Sequence, residues 1–336
     1  MLLANHTTLA VGGPARRFVV AESEEEVVAT VRDCDARGEP LLVLGGGSNL
    51  VVADDGFAGT VLRIATRGRK VENTSIVTAA AGEPWDDFVG ACVDDGLAGV
   101  EALSGIPGLV GATPMQNVGA YGQDVSETIT HVRTWDRKRG TFVEVHHAGC
   151  DFAYRSSVFR GKDRHVILSV TFALEKNDHG KPVRYAELAK GLGVAEGERA
   201  PLRRVRETIV ALRRKKGMVL DPSDPDTRSA GSFFTNPILD KVWVDSLPSD
   251  VPKFPEPDGR IKVSAAWLIE RAGFAKGFSL DGRAAISSKH ALALTNKTGT
   301  ATTSDLLKLA RTIREGVFDK FHVTLENEPV FVGVSL

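Results

Sequence analysis

Arg155, Ser232 and a pair of glutamates near the end of the chain stand where a side chain can meet an anion or move a proton. Arg155 lies in residues 150–159, CDFAYRSSVF, between Tyr154 and the hydroxyls of Ser156 and Ser157, with apolar positions on both sides. A guanidinium in such surroundings is awkward to bury without an anionic partner, and its planar fork suits a carboxylate. An exposed arginine at a strand edge fits the same residues equally well. Ser232 lies in residues 230–237, AGSFFTNP, ahead of two phenylalanines able to exclude water, with Asn236 and Pro237 closing the turn. No histidine stands near it, which argues against a hydrolase nucleophile. What remains is a turn hydroxyl or a proton donor to a strongly basic carbon. In LENEPVFVG, Glu326 and Glu328 are two apart; on a strand they share a face, and spacing does not choose between them or exclude a solvated strand start.

Two glycine-rich segments supply a different chemistry. Residues 40–52, PLLVLGGGSNLVV, run from a buried strand into Gly45, Gly46, Gly47, Ser48 and Asn49, then back into apolar residues. Glycines let the backbone approach a ligand closely, and successive N–H groups form an anion-binding concavity, for which a diphosphate is the obvious guest. Leu50 occupies the third glycine's place of a dinucleotide fingerprint and no Gly-Lys-Ser/Thr follows, so neither a Rossmann turn nor a P-loop fits. A plain glycine-rich turn also explains this segment alone. Residues 104–121, SGIPGLVGATPMQNVGAY, strengthen the ligand reading. They are long and uncharged, and Ser104, Thr113, Gln116 and Asn117 can supply side-chain hydrogen bonds. A buried irregular connection of this length leaves backbone groups unsatisfied unless something pairs them. Residues 199–216 are basic and end in Arg213, Arg214, Lys215 and Lys216. Cations there complement a helix dipole, and one or two can reach a substrate diphosphate.

The elements that must position these residues are partly readable. Ser23 with Glu26 has capping-box spacing, and Val27, Val28 and Val31 give the following helix an apolar face as far as about Gly38. Leu41 to Leu44 reads as a buried strand, and Trp85, Phe88, Val89 and Cys92 as a helix stopped at Gly96. Strands are expected over 132–135, 141–145 and 166–174. A basic helix with Val205, Ile209 and Leu212 on one face should end near Gly217. Further helices are expected over 265–273 and 306–317, and a closing strand over 330–334. Helices and strands mix without strict alternation, so the fold class is α+β. The polar, turn-rich residues 221–228, DPSDPDTR, form a natural boundary before a C-terminal domain. No internal repeat is evident.

Composition narrows the classes further. A formal net charge of −1 over 336 residues gives no reason to expect nucleic-acid or membrane binding. Cys34, Cys92 and Cys150 are odd in number, far apart and without metal-ligand spacing, so no metal is expected; Cys34 and Cys92 sit in apolar-periodic stretches and read as buried inert thiols, a usage that fits a reducing compartment. MLLANHTTLAVGG has no basic region ahead of an apolar one, so no signal peptide is expected. The uncharged run 102–123 holds Pro107, Pro114 and five glycines, and reads as a buried loop system rather than a membrane span.

In order along the chain, LGGGSNLVV, SGIPGLVGATPMQNVGAYG, YRSSVF, GSFFTNP and a glutamate before the last strand closely resemble the UDP-N-acetylenolpyruvoylglucosamine reductases. The five segments span about residues 5–334. The resemblance implies a two-part FAD-binding region of the vanillyl-alcohol-oxidase (PCMH) type and a C-terminal α+β domain for a UDP-sugar. It divides the chain into 1–65, joined by strand 329–336, then 66–217 and 218–328. It implies a cytoplasmic, monomeric oxidoreductase of peptidoglycan synthesis that uses FAD and NADPH to reduce UDP-N-acetylglucosamine enolpyruvate to UDP-N-acetylmuramate. FAD contacts are implied at Gly45, Gly46, Gly47, Ser48, Asn49, Leu50, Ser104, Gly105, Ile106, Pro107, Gly108, Gly111, Ala112, Gln116, Asn117, Gly119, Ala120, Tyr121 and Ile167. The catalytic places fall on Arg155, Ser232 and Glu328, the match selecting Glu328 over Glu326. Tyr185, in VRYAEL, takes the place of a tyrosine that covers the substrate in one subtype, and Lys216 and Asn236 fall where relatives contact the nucleotide or its phosphates. Lys297 stands where some relatives carry an acid, which puts the sugar contact there in doubt. A flavin oxidase of alcohols or hydroxy acids, and a non-catalytic flavin-binding module, are the competing readings.

Overall fold

The computed structural model describes residues 1–336, and the chain divides into two compact units. The first comprises Met1, residues 15–46 and residues 58–215; the second comprises residues 2–14, 47–57 and 216–336.

In the first unit, helix α1 (Glu24–Ala36) begins where the capping-box spacing places it. The Ser23 hydroxyl accepts from the Glu26 N–H, and the Glu26 carboxylate accepts from the Glu22 N–H. Strand Leu41–Leu44 lies parallel to Phe57–Ile64, with Leu42 opposite Val61, and Ala15–Ala21 flanks the other side. The expectation of a buried strand holds only in part: Leu44 is buried, whereas Val43 is exposed because this short sheet leaves one face of Leu41–Leu44 open.

The larger sheet is antiparallel and five-stranded, in the order Thr141–His146, Ile129–Asp136, His165–Ala173, Ile76–Ala80, Arg69–Glu72. Helix α2 (Trp85–Asp94) buries its apolar stripe here. The Trp85 ring lies 5.5 Å from Phe88 and 6.0 Å from Phe172, and Phe88 lies 4.9 Å from Phe172, centroid to centroid. Removing a ring from such a cluster costs roughly 3–5 kcal/mol. Helix α3 (Ala186–Leu192), which no periodicity announced, packs beside α4 (Leu202–Lys215) through Leu188, Leu192, Val205 and Ile209. The run 102–123 forms short 3-10 turns at Glu101–Leu103 and Val110–Ala112 linked by loop. No helix is long and apolar enough to cross a membrane.

The second unit holds two three-stranded sheets and helices α5 (Lys241–Asp245), α6 (Ala265–Arg271) and α7 (Thr303–Phe321). Helix α7 starts three residues earlier than its apolar face implied, because Thr302 and Asp305 close a reciprocal capping box. Asp54 adds acceptors to the Thr303 and Ser304 N–H groups at 2.7 and 3.0 Å, a favourable place for an anion. Leu306, Leu309, Ala310, Ile313 and Val317 are buried. The closing strand is shorter than expected, Val330–Val332, and runs parallel to Leu50–Val52.

All three thiols are free and buried. Burial pushes Cys92 up to about 12 and Cys150 up to about 11, out of the range of thiolate chemistry.

One electrostatic knot lends itself to a pH test. The Glu175 carboxylate accepts from Lys181 Nζ at 2.6 Å, Asn177 Nδ2 at 2.8 Å and Arg199 Nη1 at 3.0 Å. These bonds, Lys181's foremost, hold Glu175 at about 2, below its ordinary 4.5. A depressed carboxylate stabilises the fold fully above its ordinary value and loses that contribution as pH falls through its folded value. Glu175→Gln should therefore be less stable than wild type at neutral pH in urea titrations, and the gap should close as pH drops from 4.5 toward 2.

Candidate active site

In the first unit the two glycine-rich segments run against each other. A Cβ on Gly46 would sit 2.9 Å from the Gly108 Cα, and one on Gly45 would touch Leu109 and Ala112 at ordinary distances. The first turn of α2 holds the second segment in place. Trp85 donates its N–H to the Gly108 carbonyl at 3.0 Å, and Val110 donates to the Glu83 carbonyl at 2.9 Å. The Asp86 carboxylate accepts from the Gly105 N–H at 2.6 Å and is gripped by both Arg206 Nη groups at 2.5 and 3.0 Å. Burial pushes Asp86 up, yet Arg206 and the Gly105 N–H outweigh it and leave it below the usual carboxylate range.

Several polar side chains of this segment are turned inward. The Ser104 hydroxyl donates to Glu101 O at 2.7 Å and the Thr113 hydroxyl to Val110 O at 2.8 Å. Asn117 accepts from the Ser126 N–H and donates to Ala153 O at 3.3 Å. Ile167, on strand His165–Ala173, is buried in the hydrophobic core.

Arg155 sits in a two-residue turn closed by reciprocal bonds between Ala153 and Ser156, both 3.1 Å. Its φ of +51° is a left-handed conformation uncommon outside glycine, as are those of Asn117 (+46°) and Tyr121 (+50°). Straps from the loop hold the turn: Asn117 to Ala153, the Ser157 hydroxyl to Met115 O at 2.7 Å, and Arg155 Nη2 to Gly119 O at 3.0 Å. Tyr185, 43% exposed, meets the Tyr121 ring edge-on at 5.4 Å. Arg213 is buried, contrary to a purely solvent-facing basic helix end. Burial pushes its guanidinium down against the attraction of Tyr121 and Asp86.

The second unit contains Gly47, Ser48, Asn49, Leu50, Lys216, Ser232, Asn236 and Glu328. Gly47 has φ +64°, and a Cβ there would fall 1.9 Å from the His6 carbonyl oxygen, so only glycine fits. Ser232 ends strand Ser229–Ser232 beyond an irregularity in its pairing with Ala293–Asn296. Phe233 and Phe234 are fully buried and in T-shaped contact at 5.3 Å. The Glu328 N–H donates to Phe233 O at 2.9 Å, which brings the backbone of Glu328 beside the residue after Ser232. Asn49 Nδ2 donates to Glu328 O at 3.5 Å, and Val330 N–H donates to Asn49 O at 2.9 Å. Glu328 lies in irregular backbone, not on a strand, so the two glutamates need not share a face; Glu326 is exposed and Glu328 half-buried. Asn236 commits its Oδ1 to the Ala265 N–H at 2.9 Å. Lys216, half-buried, follows α4 directly.

Sequence reasoning missed Asp86, Arg206 and Glu101, whose hydrogen bonds hold the glycine-rich segment. Glu101 alone left a signal: it is the single charged residue in 96–123.

Residues 15–146 match the FAD binding domain model, and residues 222–332 match the C-terminal domain model of UDP-N-acetylenolpyruvoylglucosamine reductase. The reductase of that name from Thermobifida fusca is 56% identical, over 99% of this chain and 97% of its own length. The chain belongs to the UDP-N-acetylenolpyruvoylglucosamine reductase family. A second reductase, from Cutibacterium acnes, is 54% identical over 99% of this chain and 90% of its own. The crystal structure of the reductase from Thermus caldophilus superposes with a TM-score of 0.68 at 26% identity, covering 99% of this chain and 97% of that one.

The contact closes only while Gly46 has no side chain, which makes it a testable cradle for FAD. Overpacking of this kind costs about 1–3 kcal/mol, or roughly ten- to hundredfold in a dissociation constant. Gly46→Ala should purify depleted of flavin and show that weakening in a fluorescence titration with FAD. Wild-type affinity would mean the segments do not form the cradle.

Proposed function

We propose that the chain reduces the enolpyruvyl ether of UDP-N-acetylglucosamine to UDP-N-acetylmuramate with NADPH, through FAD. The observation that carries this reading is identity above 50%, end to end, with reductases of that name. An oxidase or a bare flavin-binding module has no comparable support.

Main-chain groups of residues 45–50 and 104–121 hold FAD, whose chemistry when bound is the relay of a hydride from NADPH to carbon. The rest falls to this chain's side chains. Once C3 of the enolpyruvyl group has gained hydride, charge flows into the conjugated carboxylate, and preorganised donors there lower the barrier. Arg155 presents its planar fork to that carboxylate, and Glu328 stabilises the same charge as the protonated acid or through a water. Ser232 holds a proton on Oγ for C2; serine is a weak acid, but a carbanion-like carbon is base enough to take it. The buried Phe233 and Phe234 keep water from competing. Lys216 and the Asn236 NH2 take the substrate's diphosphate or nucleotide, and Tyr185 covers the substrate, as in the tyrosine-bearing subtype. The functional partition is 1–65 with 329–336, 66–217 and 218–328. The enzyme acts as a cytoplasmic monomer that engages neither nucleic acid nor membrane.

NADPH oxidation that depends on the enolpyruvyl UDP-sugar, with a product two hydrogens heavier by mass spectrometry, tests the reading. In Ser232→Ala, flavin bleaching by NADPH should stay near wild type, whereas reoxidation by the substrate should slow by about 10²–10⁴-fold. Equal loss in both half-reactions would sink the proton-donor role. Arg155→Lys should lose most of kcat/KM, because a point charge replaces neither the bidentate fork nor the bond to Gly119.

A further inference from the structure

Glu101 lies within 3-10 turn Glu101–Leu103 and is 1% exposed. Burying a carboxylate is costly unless hydrogen bonds replace its water. Here they do, from three separate places. Oε2 accepts from the Gly99 N–H at 2.6 Å; Oε1 accepts from the Lys181 N–H at 2.6 Å and from Gln123 Nε2 at 2.9 Å. Gln123 in turn accepts the Ala102 N–H at 2.9 Å, and the Glu101 carbonyl takes the Ser104 hydroxyl.

The partners are not arbitrary. Ser104 opens the second glycine-rich segment, and Gln123 follows Tyr121, which closes it. Lys181 belongs to the stretch leading to Tyr185. That stretch is tied to the same loop elsewhere: Arg184 Nη1 donates to Gly122 O, and the Tyr185 ring meets Tyr121. Hydrogen bonds to an ionised acceptor are about twice as strong as neutral ones, so a buried carboxylate with three donors makes a stiff joint.

We infer that Glu101 is a positioning residue that locks both ends of the flavin-holding loop to the tyrosine-bearing segment, so that the cofactor cradle and the substrate cover are set by one joint. The inference rests on the reading that Tyr185 covers the substrate. Glu101 touches neither cofactor nor substrate; it acts through Ser104, Gln123 and the Lys181 main chain.

Glu101→Gln conserves shape but offers one acceptor oxygen where three donors converge. Each of its rotamers sets the NH2 against an N–H donor, Gly99 in the one that keeps Lys181 and Gln123 and those two in the other, so neither closes the joint. The reciprocal pair Glu101→Gln with Gln123→Glu restores the charge and the bonds to Gly99 and position 123, but leaves the Lys181 N–H facing an NH2. The two variants therefore separate the roles. The single variant should lose flavin on gel filtration and raise KM for the enolpyruvyl UDP-sugar roughly tenfold, the factor that ~1.4 kcal/mol carries, with kcat at saturating FAD unchanged. The pair should regain flavin retention yet keep the raised KM, and its Lys181 amide should exchange with deuterium faster than in wild type.

Faster exchange at Lys181 with an unchanged KM in both variants would overturn the inference, as would a rapidly exchanging Lys181 amide in the wild-type holoenzyme, a measurement that needs no variant. Tyr185→Ala is the control. If it leaves KM unchanged, the substrate-cover reading fails by itself; if it raises KM while both Glu101 variants leave KM alone, the joint fails and the cover stands.

Discussion

Two stretches of main chain must come within van der Waals contact with no side chain between them, and the first unit is organised around that requirement. Gly46 and Gly108 meet at a separation a single methyl would breach. Glycine carries an entropic penalty on ordering, so something stiff has to hold the approach. Glu83 and the first turn of α2 behind it do so, through the Glu83 carbonyl, Trp85 and Asp86. Its own rigidity comes from behind, where Trp85 and Phe88 pack on Phe172 and the Trp85 indole N–H donates to Leu103 O at 3.0 Å. Core packing and the glycine contact are thus one continuous support: the aromatic cluster fixes the helix, and the helix fixes the loop.

The elements legible in the sequence were those whose burial is periodic. Helices α1, α2 and α4 show an apolar stripe at helical spacing, and their stops fall where Gly38 and Gly217 take left-handed φ and at Gly96, also positive. Strand edges and short helices were less legible. Helix α3 is seven residues long, too short to state a period, and α7 was foreshortened because its first turn is polar and held by a capping box and Asp54. The assignment of residues 2–14 and 47–57 to the second unit is set by distant partners, such as Thr8 donating to Gly47 O, and leaves no local trace.

The candidate site was legible by type but not by use. Ser104, Thr113 and Asn117 have the donors a ligand would want, yet the fold turns them onto its own backbone. Arg213 shares a basic run with exposed neighbours, and only packing against α2 and the loop reveals it as buried. Glu326 and Glu328 are equivalent by spacing, and become distinct because the Phe233 carbonyl captures the Glu328 N–H and Asn49 its carbonyl.

A common logic runs through these placements. The side chains assigned to chemistry are located mainly by main-chain contacts, and the side chains that do the locating sit one layer back. Glu328 is fixed through its own N–H and carbonyl, and Ser232 through an irregular strand end, a device that re-aims a side chain. Arg155 is the costly case. A left-handed arginine stores about 1–3 kcal/mol of backbone strain, which persists only where the surroundings over-determine it. Here Asn117, Ser157 and the carbonyls of Gly119 and Ala153 do so, and Arg160 adds a bond to the Arg155 carbonyl. Together these straps fix the direction in which the guanidinium leaves the turn. The strain is therefore tolerable only because the second glycine-rich segment clamps the arginine, which ties the direction of its charge to the integrity of that loop.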